Sequence, residues 1–122
     1  MIFPAKLWQS RPIDLLERKM AHKKRIQTPE YQWEQVLLDA YYDYRWRQVL
    51  EPLYQKFQQW NAGELDHIYM NEAIHQTHKQ TQDVYVFFTQ KRSLLVRVTQ
   101  LDEAWFHAWV KDNPPPAGYT LG

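Results

Sequence analysis

The sequence predicts an all-α fold: a long antiparallel helical hairpin flanked by short N- and C-terminal helices, bundle-like and completed by dimerisation. Three observations lead there. The chain has only three glycines in 122 residues, which leaves little turn chemistry for a β-rich protein. Between Gly63 and Pro114 there is neither glycine nor proline. Apolar residues recur at spacings of three and four, the spacing of one helix face.

One segment competes with this reading. Residues 83–99 contain Val84-Tyr-Val-Phe-Phe88 and Leu94-Leu-Val96, which favour strands by propensity. The alternative is therefore an α+β fold with a hairpin at 83–99. Yet Thr89-Gln-Lys-Arg92 offers no residue suited to positive φ. Val84, Phe87, Phe88, Lys91, Leu94, Leu95, Val98 and Leu101 keep helical spacing. We read helix.

The elements follow from their caps. Ser10-Arg11-Pro12 opens an N-terminal helix over residues 12–26. Thr28-Pro29-Glu30 is a stronger start: a hydroxyl cap, proline in the first turn, then an acid facing the helix dipole. This helix runs to Trp60 and stops at Asn61-Ala62-Gly63. Pro52 either kinks it or splits it. Asp66 caps the return helix, with Leu65 and Met70 at the two positions of a hydrophobic staple. Unbroken to Asp112, the return helix would be roughly 70 Å long, too long for a compact domain. Thr99-Gln-Leu-Asp102 resembles a capping pattern, so a break falls near 99–102 and a last helix ends at Asp112. Residues 1–112 form one domain, and residues 113–122 form an extended, surface-draped proline-rich tail.

Helical phase assigns the faces. Leu38, Tyr42, Trp46, Val49, Leu53, Phe57 and Trp60 make one stripe on the long helix, facing Met70, Ala73, Ile74, Val84 and Phe88. Trp33, Leu37, Tyr41 and Tyr44 make a second stripe that needs its own cover. The terminal helices or a second subunit can supply it.

Composition narrows the function classes. The absence of cysteine excludes a disulfide scaffold, a thiol nucleophile and sulfur-ligated zinc. Ser10 and Ser93 are the only serines, and neither sits in a nucleophile-elbow setting. No apolar run approaches the roughly 20 residues that span a bilayer, and the first ten residues lack a signal-peptide core. The chain reads as cytoplasmic, with no membrane partner.

Charge is uneven. Residues 1–27 hold seven basic and two acidic residues, and residues 28–122 hold eight basic and twelve acidic ones. Arg18, Lys19, Lys23, Lys24 and Arg25 are possible phosphate contacts. They support one alternative function, nucleic-acid binding through the basic N-terminal helix.

A second alternative rests on Glu72-Ala-Ile-His75. Glu-x-x-His places a carboxylate and an imidazole on one helix face, as carboxylate-bridged iron and manganese bundles require. In an antiparallel hairpin Glu51 falls level with Ile74. Glu51, Glu72 and His75, doubled by a homodimer, would form a metal-binding half-bundle. The arrangement resembles two-helix ferritin-like proteins through these three residues. Their phase points away from the apolar stripe, which weighs against it.

The aromatic content decides the main reading. Nineteen of 122 residues are Trp, Tyr or Phe, more than one hairpin seam can cover. Interfaces favour Trp, Tyr and Arg. The sequence therefore points to a non-enzymatic protein–protein interaction or oligomerisation module, most simply a homodimer. Its expected surface is Tyr41, Tyr44, Trp46 and Arg47, with Trp105, Phe106 and Trp109 of the last helix.

Overall fold

The computed structural model describes residues 28–121. The expected helix over 12–26 and the basic cluster Arg18–Arg25 lie outside the described residues. Four helices follow in order: α1 (Pro29–Asn61), α2 (His67–Phe87), α3 (Arg92–Leu101) and α4 (Glu103–Asp112). The fold is all-α, with helix-on-helix packing and no strand among the described residues. This removes the hairpin alternative at 83–99.

The caps explain the boundaries. Thr28 Oγ1 accepts from the Tyr31 N–H at 3.2 Å, and Pro29 opens α1. At the far end Gly63 takes φ 77°. The Glu64 N–H donates to Gln59 O at 2.9 Å and the Gly63 N–H to Trp60 O at 3.1 Å. This bond pair is a Schellman motif, which needs the left-handed residue. Asp66 Oδ1 accepts from the Ile68 N–H and starts α2. Pro52 does not split α1, which continues through it.

The return helix is the main correction. It does not run to 99 but ends at Phe87, and α3 begins at Arg92. The turn needs no positive φ, because Thr89 and Gln90 close it with backbone bonds to Val86 and Phe87, and Lys91 is extended. Thr89 Oγ1 also donates to Val86 O at 2.6 Å. A scan for glycine or asparagine misses such a turn. The break lets Leu95 and Val96 pack on Trp33, Leu37 and Leu38. Arg92 then ties α3 to α1: it donates to Gln35 Oε1 at 2.7 Å and Tyr31 O at 2.9 Å, and lies 3.7 Å over the Tyr31 ring.

The expected break near 99–102 is present at Asp102, between α3 and α4. The capping reason was different. Thr99 is fully buried and its hydroxyl donates to Leu95 O. The Asp102 carboxylate makes no cap and instead accepts from the Tyr41 hydroxyl at 2.9 Å.

α4 returns along α1. Trp105 stacks on Tyr44, while Phe106 and Trp109 reach Trp33. The core therefore sits against the first half of α1. It consists of Trp33, Leu37, Leu38, Leu95, Val96 and Phe106, with Phe87, Phe88, Trp105, Trp109, Val110 and Tyr119 packed around it.

A candidate interaction surface on the hairpin arm

The second half of α1 and the first half of α2 extend beyond this core as a two-helix arm. Among residues 50–80, all described, Met70 is the one buried side chain. Leu50, Tyr54, Phe57, Trp60, Ile68, Tyr69 and Ile74 are exposed in the same stretch. Two helices alone cannot bury apolar residues on more than their shared seam.

Local side-chain pairs hold the arm helical without a core. Gln48 Nε2 donates to Tyr44 Oη at 2.8 Å and Gln58 Nε2 to Tyr54 Oη at 3.1 Å. Gln76 Nε2 donates to Glu72 Oε1 at 2.7 Å. These i,i+4 bonds each add a few tenths of a kcal/mol, about 0.2–0.5. They give a use for the chain's many glutamines. At the tip, the Trp60 indole N–H donates to His67 Nδ1 at 2.8 Å and links the two helix ends.

Two hollows meet at Trp46, at the base of the arm. Along α1, Asp43, Trp46, Arg47, Leu50, Glu51 and Tyr54 line a groove of about 690 Å³. A second hollow of about 440 Å³ shares Trp46 and crosses to α2 through Thr81, Tyr85 and Val86. The charges in the groove are satisfied within α1. Arg47 Nε meets Asp43 Oδ2 at 3.0 Å, and its Nη1 meets Glu51 Oε1 at 3.3 Å. Hydrogen bonds to Asp43 and then Glu51 push the guanidinium above its usual range. The rest of the groove is Trp46, Leu50 and Tyr54 with the side-chain amides of Gln55 and Gln58.

The structure redistributes the residues expected at the interface. Tyr41 and Phe106 are buried. Trp105 and Trp109 are half-buried and stack on each other at 5.9 Å, and Tyr44 is half-buried against Trp105 at 5.6 Å. The last helix turns these rings inward and spends them on the core. Trp46 and Arg47 are the two expected residues that line the groove. Leu50 and Tyr54 join the groove and Tyr85 the adjoining hollow, none of them among the expected interface residues. The signal for the groove was spacing alone: Trp46, Leu50 and Tyr54 stand four residues apart on one helix face.

The metal reading finds no assembled site in one chain. Glu51 is exposed and paired with Arg47, Glu72 accepts from Gln76, and His75 is exposed. Among the described residues no group of three His, Asp or Glu side chains could hold a metal ion. No described helix is long and apolar enough to cross a membrane.

Two tyrosines have shifted titration. Burial pushes Tyr119 up to about 12, helped by its hydrogen bond to Glu34. Burial also raises Tyr41, with Arg45 pulling down and Asp102 pushing up. Both hydroxyls serve as protonated donors inside the fold. No protein family, curated protein or solved structure matches this chain.

Proposed function

We propose that this chain is a non-enzymatic helical interaction module that self-associates through the open face of its hairpin arm. The supporting observation is the contrast between the halves of α1. Its first half contributes Trp33, Leu37, Leu38 and Tyr41 to the buried set, whereas its second half contributes none. Around the two hollows, Leu50, Tyr54, Tyr85 and Val86 are 43%, 64%, 67% and 56% exposed. Exposed aromatic and aliphatic side chains of this kind are what contact surfaces favour. A second arm laid on the first makes a four-helix bundle and covers both faces at once.

Light scattering on the full chain at tens of micromolar tests the reading. The expected mass is that of a dimer, reduced to a monomer by Leu50→Asp combined with Tyr85→Asp. A monomeric wild type, or a dimer indifferent to the double substitution, rejects the arm as the contact surface.

A further inference from the structure

The tail after α4 follows a defined path over the core. The Asn113 carbonyl accepts from the Trp33 indole N–H at 2.9 Å, and the Asn113 amide donates to Trp109 O at 3.0 Å. Pro114, Pro115 and Pro116 cannot continue the helix and favour an extended left-handed path. The Tyr119 N–H then donates to Pro116 O at 3.1 Å, with Gly118 at φ 84°. This is a turn that requires glycine at its third position. It delivers the Tyr119 ring to 4.7 Å from Trp33. The Tyr119 hydroxyl donates to Glu34 Oε2 at 2.6 Å and accepts from Gln100 Nε2 at 3.2 Å. About 330 Å³ remains open beside it, bounded by Arg92, Val96, Arg97 and Gln100.

These parts have a recognisable physical logic. An indole N–H meets the carbonyl just before a proline run, the same indole packs against the tyrosine three residues beyond the run, and a carboxylate accepts from that tyrosine's hydroxyl. Grooves that read proline-rich peptides combine aromatic walls with a few such polar contacts, because the extended peptide costs little entropy to order. We propose that the groove of Trp33, Glu34, Gln100 and Trp109 is a peptide-recognition site, held closed in cis by the chain's own tail. The partner it fits is an extended segment with a proline run and a tyrosine three residues beyond its last proline. The tail is its built-in competitor. Joined directly to α4, it has an effective concentration of about millimolar, so a free peptide enters only when the tail is released. This inference stands apart from the role of the arm.

The test uses the full chain and a fluorescent peptide with the sequence of residues 113–122. Tyr119→Ala removes the anchor of the cis tail, and Tyr119→Phe weakens it while keeping the ring, in case the first variant loses helicity. The peptide is expected to bind a folded variant at least about tenfold more tightly than the wild type. A peptide with alanine in place of its tyrosine should not bind. If neither folded variant binds the peptide, or if wild type and variants bind it equally, the groove is only a seat for the tail and the proposal fails.

Discussion

Tyr41→Phe removes one oxygen atom and leaves the ring contacts in place. Tyr41 is 3% exposed and packs against Phe87 at 6.1 Å, Phe88 at 6.3 Å and Trp105 at 4.9 Å. Its hydroxyl reaches Asp102 Oδ2, at the single residue between α3 and α4. The bond therefore fixes the joint of the last two helices to the middle of α1. A hydrogen bond to a charged group is worth about 1.5–3 kcal/mol. Asp102 is half-exposed and water can replace part of the bond, so about 1–2 kcal/mol is the expected loss. For a domain of this size that lowers Tm by about 5–10 °C. Tyr41→Ala removes the ring too and should cost about 3–5 kcal/mol. Asp102→Ala tests the same bond from the other side, since its carboxylate makes no cap. Thermal unfolding followed by circular dichroism on the two single variants and the double variant gives a coupling of about 1 kcal/mol or more if the reasoning holds. A Tyr41→Phe protein that melts within 1 °C of wild type, or a cycle with no coupling, refutes it.

Other changes have distinct expected sizes. Leu37→Ala, at a fully buried core position, should cost about 2–5 kcal/mol. Leu50→Ala on the arm should cost well under 1 kcal/mol for the isolated chain, and urea denaturation at dilute concentration compares the two. Gly63→Ala meets no atom within 4 Å but must hold φ 77°, so its cost is backbone strain alone, about 1–2 kcal/mol. Alkaline pH should unlatch the tail. The raised pKa of Tyr119 means that the fold favours the neutral hydroxyl. Its stabilisation is complete below the ordinary tyrosine value of about 10 and is lost as pH rises through about 12. Urea midpoints measured from pH 9 to pH 12 should fall in wild type and fall less in Tyr119→Phe.

Much of the fold was legible because it rests on local chemistry. Thr28-Pro29-Glu30, Asn61-Ala62-Gly63 and Asp66 set the hairpin ends, and each acts within a few residues of itself. The break at 88–91 was not legible. It uses ordinary backbone angles, and its cause is distant: α3 must turn to place Leu95 and Val96 on α1. The same limit applied to the last helix. Trp105, Phe106 and Trp109 are interface residues by type; the sequence left the cover of the Trp33, Tyr41 and Tyr44 stripe open between the terminal helices and a second subunit, and the structure places α4 there. The groove on the arm was not legible: helical phase puts Trp46 on the seam with the return helix, and which side of α1 stays open depends on where α3 and α4 stop covering it.

The aromatic excess follows from the thinness of the core. A chain with a few fully buried positions gains most from side chains that bury a large body and satisfy a polar tip. Trp33, Tyr41 and Tyr119 do so, with tips bonded to Asn113, Asp102 and Glu34. Each of those bonds joins segments more than 60 residues apart, so the rings act as both core and cross-links. Trp46 departs from the pattern. Its indole N–H is buried and has no hydrogen-bond partner. An unsatisfied buried donor costs about 1–3 kcal/mol. Trp46 also lines both hollows of the arm face. The chain carries that cost where the two hollows meet, at the residue from which the arm leaves the core.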